Sequence, residues 1–385
     1  MPPGRRPPRP LPRKCNDLGV KAARTSQCWA AAPGGTSQPR FYLARSSLAR
    51  SAKVRRFWHG LLWIPLYLLL FGVTLWAVGA LYFDLPIAGL RAPLAFIYFA
   101  AMLVAFIFVK GRWRAIGVVA FAFLVVLGWW LTIEPTGDRN WQPDVARTGW
   151  ADIQGDEVTV HNVRNFEYRS ETDYTPYWET RTVQLSKLTG ADLAINYWGS
   201  PWIAHPIASF QFYDSLPLAL SIETRKVIGQ TYSALRGFYR QYELIYIPAD
   251  ERDVIRLRTN YRHEQVYLYH VRISPEHARK VFLEYLKQLN QLHDKPKFYN
   301  AVTDNCTTNI RAANIAAEHG TVAPWNWRVL LNGKMDELLY ARGFIDRSFP
   351  FATLKEQSLI NKRAQAASAS PDFSQLIRGG LPNSP

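Results

Sequence analysis

Three long apolar runs dominate the first third of the chain. They cover residues 61–83, 92–109 and 115–132, and none of the three contains a charged side chain. Each run is close to the roughly 20 residues that a helix needs to cross the hydrocarbon core of a bilayer. The pattern predicts three transmembrane helices. The first run is not a cleavable signal peptide, because it is too long and no small-residue cleavage site follows it before the second run.

Basic residues are distributed unevenly around these runs, and this predicts their orientation. Residues 1–56 contain thirteen Lys and Arg against one acid, Asp17, and the connection KGRWR before the third run adds three more basic residues. The connection between the first and second runs holds only Asp84 and Arg91. Because basic connections stay on the cytoplasmic side, we expect a cytoplasmic N-terminus and a periplasmic chain after Thr132. The sequence thus indicates a multi-pass membrane protein, and the outer side is the periplasm if the membrane is the inner membrane of a Gram-negative bacterium.

From about residue 137 the hydrophobic pattern changes to short alternating segments. These predict strands at residues 158–163, 166–169, 180–185, 203–212, 218–225, 243–247 and 265–273. Ser274 followed by Pro275 is a typical helix start, and apolar residues at helical spacing continue to about residue 292. A second helix is predicted from near Cys306 to just before Gly320. The soluble part is therefore of the α+β class.

Composition divides the chain into four parts. We expect a disordered basic cytoplasmic tail at 1–56, a three-helix anchor at 57–134, a periplasmic domain at 150–350, and a C-terminal tail at 351–385, loosely ordered from about residue 364. The tail at 1–56 supplies +12 of the formal net charge of +16. Since no basic domain remains, nucleic acid is not an expected partner. The sequence contains no nucleotide motif and no metal-ligand spacing, so we expect no cofactor and no metal.

Cys306 is the candidate nucleophile. It is the only cysteine after the apolar runs, since Cys15 and Cys28 lie in the basic tail. The segment TDNCTTNIRAANIAAEHG places it in the first turn of a helix, with Asn305 as a good capping residue. The helix dipole and the free N–H groups there favour a thiolate and can hold an oxyanion. The alternative is a buried inert cysteine.

His205 is the candidate base, and Glu223 its orienting carboxylate. Of the eight histidines, His205 opens a predicted strand directly after the tight WGSPW turn, whereas His161 is a weaker candidate. If Phe212 pairs with Leu218 across the turn YDSLP, His205 and Glu223 are diagonal neighbours on one face of a hairpin. The alternatives are a hydrogen-bonded core histidine and a Glu223 that pairs with a nearby arginine.

Three further residues are candidates for substrate binding. Arg236 and Arg240, in RGFYRQYELIY, are suited to a lipid phosphate or another anion, and a solvated basic face is the alternative. Tyr197 precedes the WGSPW turn and is the third candidate, beside Asn305.

Long segments between about residues 164 and 315 resemble a known family. They are RNFEYR, YWETRTVQL, YWGSPWIAHPIASF, LALSIETRK, SALRGFYRQYELIYIPADERDVIRLRTNYR and FYNAVTDNCTTNIR. Together they are similar to the Lnb N-terminal periplasmic domain family, which includes bacterial lipoprotein N-acyltransferases. The order His205, Glu223, Cys306 also resembles a permuted papain-like (NlpC-like) fold, as in relatives of lecithin:retinol acyltransferase, whose Asn-Cys pair is similar to Asn305-Cys306. The family name suggests a periplasmic domain at the N-terminus, with membrane spans after it. In this chain the apolar runs precede the domain instead.

The resemblance implies a membrane-anchored thiol-dependent acyltransferase. Cys306 would hold a fatty acyl chain taken from a membrane phospholipid, as a thioester, and pass it to an amine such as a lipoprotein N-terminus or another acceptor in the envelope. His205 would act as base and Glu223 would orient it. Two alternatives stay open: a papain-like thiol hydrolase or peptidase that acts on the cell envelope, and a non-catalytic envelope scaffold.

Overall fold

The structure is a computed structural model that describes residues 63–317, 326–329, 331–368 and 370–382. The chain divides into two units, Met1–Ile64 and Pro65–Pro385, and nearly all described residues belong to the second. The predicted basic tail at 1–56, with Cys15 and Cys28, lies outside the described residues.

Three apolar helices begin the described chain. They are α1 (Ile64–Asp84), α2 (Ala88–Phe108) and α3 (Arg112–Leu131). Each is long and apolar enough to cross a membrane. Side chains such as Phe96 and Phe108 are largely exposed along them, and so large an apolar surface is compatible with lipid rather than with water. The three predicted helices are confirmed in length and composition.

Ten strands follow, most of them in one mixed sheet. They are β1 (Trp150–Gln154), β2 (Glu157–Arg164), β3 (Glu167–Tyr168), β4 (Tyr174–Thr175), β5 (Trp178–Gln184), β6 (Leu188–Tyr197), β7 (Ala204–Phe212), β8 (Leu218–Arg225), β9 (Glu243–Ala249) and β10 (Gln265–Val271). The main sheet has the order β1-β2-β9-β8-β7-β6-β10, with β5 also paired to β2, while β3 and β4 form a separate ribbon. The β2–β9 pairing is parallel and the other described pairings are antiparallel.

Seven further helices lie among and after these strands. They are α4 (Glu251–Arg256), which continues into a π-helical turn at Leu257–Tyr261, α5 (Pro275–Asp294), α6 (Cys306–Ala317), α7 (Met335–Arg342), α8 (Phe351–Ser358), α9 (Asn361–Ala366) and α10 (Phe373–Leu376), counted in the described segments only. The predicted start of α5 is confirmed, because the Ser274 hydroxyl accepts a hydrogen bond from the His277 N–H. Helices and a mixed sheet confirm the α+β class.

The main sheet is covered by helices on both faces. Side chains alternate along a strand, so on β9 Leu244 and Tyr246 pack in one apolar cluster whereas Ile245 and Ile247 pack in another. The first cluster contains residues of α5 and α6. The second contains residues of α4, α9 and α10. The helix that begins at Cys306 therefore lies on one face of the sheet, and α9 and α10 lie on the other.

The expectation of a loosely ordered C-terminal tail is wrong for its described part. Phe373 and Ile377 are buried in the second cluster. Arg378 forms ion pairs with Asp192 of β6 and Glu251 of α4. The segment is thus a structural part of the domain.

Candidate active site

Asn305 orders the helix start that presents Cys306. Its Oδ1 accepts hydrogen bonds from the N–H groups of Thr307 at 2.9 Å and Thr308 at 3.0 Å, and its Nδ2 donates to the carbonyl of Ala301 at 2.9 Å. Asn305 is therefore a capping residue whose polar atoms are already engaged. Two of the N–H groups at the helix start, where an oxyanion site was expected, are thus already engaged by Asn305.

The Cys306 thiol is buried and has weak polar contacts. Its Sγ lies 3.7 Å from Asn332 Nδ2 and 3.9 Å from Thr307 Oγ1. Burial raises the pKa of the thiol, and the hydrogen bonds from Thr307 and Asn332 oppose this only in part. Burial therefore opposes the expected stabilisation of a thiolate at the helix start.

The hairpin of β7 and β8 has a register two residues away from the expected one. Phe210, not Phe212, pairs with Leu218. Extending this register places His205 directly opposite Glu223 rather than diagonal to it. The pairing itself ends at Ile207 and Ser221, although both strands continue. A gap between the two strands therefore begins beside His205.

Asn332 fills one side of this gap. Its Oδ1 accepts a hydrogen bond from the Ala204 N–H at 2.9 Å, and its Nδ2 donates to the Ala204 carbonyl at 2.6 Å. A side-chain amide thus bonds both backbone groups of Ala204, as a neighbouring strand would. The second hydrogen of the same Nδ2 points to the neighbourhood of Cys306 Sγ, 3.7 Å away. Asn332 therefore connects the start of the His205 strand to the thiol.

His205 reaches Glu223 through a serine hydroxyl. His205 Nε2 lies 2.8 Å from Ser221 Oγ, and Ser221 Oγ donates to Glu223 Oε1 at 2.9 Å. The direct distance from Nε2 to Glu223 Oε1 is 4.0 Å. Since Ser221 donates its one hydrogen to the carboxylate, it accepts from Nε2–H, and the imidazole is held as the Nε2–H tautomer. Among the described residues none hydrogen-bonds to Nδ1, which keeps its lone pair.

Arg258 influences the protonation states of Glu223 and His205. Its guanidinium donates to Glu223 at 3.2 Å and to Glu264 at 3.3 Å. Burial opposes ionisation of Glu223, but Arg258 and the other positive groups nearby together outweigh it and hold the pKa of that carboxyl well below its usual range. Burial, together with the same guanidinium, lowers the pKa of His205 to about 3. At neutral pH the site therefore contains an ionised Glu223, a neutral imidazole and a neutral thiol.

Cys306 and His205 line one cavity but approach it from different faces of the sheet. His205 shares a strand face with Ile207, which packs in the second cluster, whereas Cys306 packs in the first. Both residues, with Glu223, Arg258 and Asn332, line a cavity of about 200 Å³ at the gap between β7 and β8. In the described part of the chain no hydrogen bond joins Cys306 to His205. Both groups therefore border the same cavity from opposite faces of the sheet.

The other predicted substrate-binding residues lie outside this cavity. The Tyr197 hydroxyl lies 3.0 Å from the Gly333 carbonyl and 3.1 Å from Asp336 and donates its one hydrogen to either, and Tyr197 lines a neighbouring cavity of about 610 Å³. The Arg240 guanidinium lies 4.2 Å from the centre of the Trp130 ring, near the end of α3. Arg236 begins a short 3₁₀ turn and does not line the cavity of Cys306 either.

Sequence reasoning missed Ser221, Arg258 and Asn332. Ser221 carried a usable signal, because it lies two residues before Glu223 and therefore on the same strand face. Arg258 and Asn332 lie in segments for which no pairing was predicted, and only the tertiary structure brings them to the cavity. No group of His, Cys, Asp and Glu able to hold a metal ion is found among the described residues.

Comparison with known proteins identifies the domain. Residues 174–333, which include His205, Glu223 and Cys306, match the family described as the Lnb N-terminal periplasmic domain. Searches among curated proteins and among solved structures each gave no match. The permuted papain-like arrangement stays a prediction. With three membrane-capable helices before it, the matched region indicates a membrane protein with a periplasmic domain. Residues 174–333 of the chain are thus similar to the Lnb N-terminal periplasmic domain family.

Proposed function

We propose that the protein is a membrane-anchored cysteine acyltransferase. It would take a fatty acyl chain from a membrane phospholipid, hold it as a thioester on Cys306, and pass it to an amine such as a lipoprotein N-terminus. The observation that carries the proposal is the cavity at the β7–β8 gap, which is lined both by a thiol at a helix start and by a neutral imidazole whose tautomer Ser221 and Glu223 fix.

In the first half-reaction His205 acts as the base. Its Nδ1 takes the proton of the Cys306 thiol, and the sulfur attacks the ester carbonyl carbon of the phospholipid. The Asn332 Nδ2 hydrogen near Sγ is placed to stabilise the oxyanion that forms. The C–O bond then breaks, and Nδ1–H gives its proton to the departing lysophospholipid hydroxyl. The products are an S-acyl cysteine and a neutral imidazole.

The second half-reaction reverses the roles. Nδ1 removes a proton from the acceptor amine as its nitrogen attacks the thioester carbonyl. The C–S bond breaks, the proton passes to the sulfur, and an amide and the free thiol remain. In the resting site the first proton transfer is uphill, because the thiol pKa is raised and the imidazole pKa is lowered. If the Cys306 thiol and the His205 imidazole approach each other closely, both pKa shifts become smaller, because the thiolate and the imidazolium stabilise each other.

We further propose that α1, α2 and α3 all cross an inner membrane, with the N-terminus in the cytoplasm and the Cys306 domain in the periplasm. The charge distribution supports this orientation, because the basic residues lie before α1 and between α2 and α3. A lipid substrate suits such an arrangement, since the anchor holds the cavity at the bilayer surface.

Trapping the covalent intermediate tests the proposal. Full-length protein is incubated with phospholipid vesicles in the absence of an acceptor, digested, and examined by mass spectrometry at the peptide that contains Cys306. We expect a fatty acyl adduct that hydroxylamine removes and that Cys306→Ala lacks. A peptide adduct from envelope extract would instead support a thiol peptidase. If no adduct forms with any donor, the result would favour a non-catalytic scaffold.

A further inference from the structure

Exposed apolar side chains occur on two segments that contact each other, residues 232–238 and the turn before Cys306. We call the set Tyr232, Leu235, Phe238 and Val302 the apolar strip, and all four are exposed. The segment 227–235, which contributes two of them, has no charged residue. Large apolar side chains that are exposed next to one another indicate a binding surface.

One end of the strip is fixed to α1. Tyr239, which follows Phe238, is buried, and its ring lies 5.0 Å from that of Phe83 and 6.3 Å from that of Trp76. Its side chain approaches Gly79 so closely that a Cβ there would lie 1.9 Å from the Tyr239 hydroxyl oxygen. Gly79 lies more than one turn inside α1. Tyr239 therefore reaches past the end of the helix to the level of its apolar surface.

The strip also contacts the turn that precedes Cys306. The Gly237 carbonyl accepts a hydrogen bond of 2.8 Å from the Ala301 N–H, and Val302 follows directly. A Cβ on Gly237 would lie 3.2 Å from that of Ala301, so the two segments are in close contact. Tyr232 lines the same cavity as Cys306. Apolar surface thus extends from α1 to the mouth of the cavity.

We infer that the apolar strip lies in the surface of the bilayer and receives an acyl chain of a membrane phospholipid, which it guides to Cys306. The occupant follows from continuity, because the strip adjoins a helix of membrane-spanning composition and because Arg240 packs on Trp130 next to it. Aromatic and basic side chains of this kind are typical of the interface between headgroups and acyl chains. This inference rests on the proposed function for the fate of the chain, but contact between strip and lipid requires no catalysis.

Photo-crosslinking tests the contact directly. A benzophenone-bearing amino acid replaces Leu235, which is 58% exposed, in the full-length Cys306→Ala protein, reconstituted in vesicles of phosphatidylethanolamine and phosphatidylglycerol. The control carries the same amino acid at Leu216, which is 51% exposed in the β7–β8 turn at the far end of the hairpin from His205. We expect a phospholipid adduct at position 235 and at least about tenfold less at 216.

Three results would overturn the inference: equal adducts at the two positions, no lipid adduct at 235, or a protein adduct in place of lipid there. Because Cys306→Ala cannot form a thioester, a lipid adduct at 235 supports the strip even if wild-type protein never becomes acylated. In that case the proposed function fails while the strip stands.

A second measurement connects the strip to delivery. The double variant Leu235→Gln/Phe238→Gln and the control double variant Tyr213→Gln/Leu216→Gln are compared with the parent protein for acylation of Cys306 from vesicles. We expect the strip variant to be acylated at least about tenfold more slowly, because polar amides replace two apolar contacts. The control should match the parent. Equal rates in the two variants would overturn the guiding role.

Discussion

The imidazole of His205 and the hydroxyl of Ser221 lie 2.8 Å apart, and the serine, not the imidazole, contacts the carboxylate of Glu223. Arg258 helps to keep Glu223 ionised, and an ionised carboxylate can only accept hydrogen bonds. The hydrogen bonds from His205 through Ser221 to Glu223 therefore have one possible direction. Nε2–H donates to Ser221, and Ser221 donates to Glu223. A change at Ser221 therefore alters the histidine tautomer without touching the thiol.

We predict that Ser221→Ala lowers kcat for Cys306 acylation by roughly 10- to 100-fold, less than the loss of a general base. The alanine removes the acceptor that holds the Nε2–H tautomer, so Nδ1 carries the proton for part of the time. KM for the donor should change little, because Ser221 does not open onto solvent. Steady-state kinetics with vesicles as donor measure both constants.

A matched serine controls for the structural cost of this substitution. Ser209 is also fully buried on the same sheet and donates to a carboxylate, that of Glu251. Ser209→Ala should lower the melting temperature to a similar degree but leave kcat unchanged. If both variants lose the same fraction of kcat, Ser221 acts on stability alone.

The reactive residues themselves give the second prediction. Cys306→Ala and Cys306→Ser should abolish acyl transfer in a folded protein, and His205→Ala should lower it roughly 10²- to 10⁴-fold. Glu223→Gln should be milder, since the amide oxygen still accepts from Ser221. Activity is measured with a radiolabelled phospholipid, and folding by melting temperature.

His270→Ala is the control for the loss of a histidine. His270 pairs with Asp192 at 2.8 Å and does not line the cavity of Cys306. Its replacement should leave transfer at the parent rate. Retained activity in Cys306→Ala would exclude the thiol mechanism.

The strands β8 and β6 show which parts of the fold the sequence predicts and which it does not. The strand β8 alternates apolar and polar residues and its predicted bounds, residues 218–225, are those observed. The strand β6 was not predicted, because it contains Gly190, Asp192 and Asn196, residue types that are depleted in strands. It is buried on both faces in the sheet, and Asp192 and Asn196 bond residues distant in sequence, Arg378 and Glu264. Only the folded chain supplies those partners.

In the candidate active site, too, local sequence patterns predict some residues but not the contacts between distant segments. Helix and strand patterns alone led to Cys306, His205 and Glu223, because the capping signal and the strand alternation are local. The register of the β7–β8 hairpin was wrong by two residues, since nothing in YDSLP fixes the number of turn residues. The burial that raises the thiol pKa, and the approach of Asn332, depend on chain segments far apart in sequence, which a local pattern cannot predict.

The thiol titration gives the third prediction. A protonated, buried thiol reacts slowly with alkylating agents, because the thiolate is the nucleophile. The rate of Cys306 alkylation by iodoacetamide should therefore be low at neutral pH and should rise with pH to a midpoint above that of a free cysteine, which is about 8.5. The alkylation rate is measured in the absence of lipid. A midpoint below about 7 would mean that the resting site contains a preformed thiolate.

Membrane orientation gives the fourth prediction. With basic residues on the cytoplasmic side, alkaline phosphatase fused after Thr132 should be active, and fused after Val109 inactive. Enzyme activity of the two fusions in intact cells measures this, with equal expression checked by immunoblot. The reverse pattern would place the Cys306 domain in the cytoplasm and remove the periplasmic part of the proposal.

The last prediction concerns Asn332, whose amide connects Ala204 to the thiol. In Asn332→Asp the shape is kept, but the donor to Cys306 Sγ and to the Ala204 carbonyl is lost. A carboxylate about 3.7 Å from the sulfur disfavours the thiolate, so we expect the alkylation midpoint of Cys306 to rise by about one to three pKa units. Transfer should slow in parallel, because the carboxylate repels both the thiolate and the oxyanion.

Asn361 allows the structural and chemical effects of Asn332→Asp to be separated. Its Oδ1 accepts from the Val266 N–H at 2.9 Å, and its Nδ2 donates to the Glu264 carbonyl at 2.7 Å, so it bridges backbone groups as Asn332 does. It makes no contact with Cys306 in the described chain. Each variant should lose about 1–3 kcal/mol of stability, since each leaves a backbone carbonyl without its donor. Asn361→Asp should leave the alkylation midpoint where it is. If the midpoint shifts equally in both variants, the titration of Cys306 reports loosening of the domain, and Asn332 has no role of its own at the sulfur.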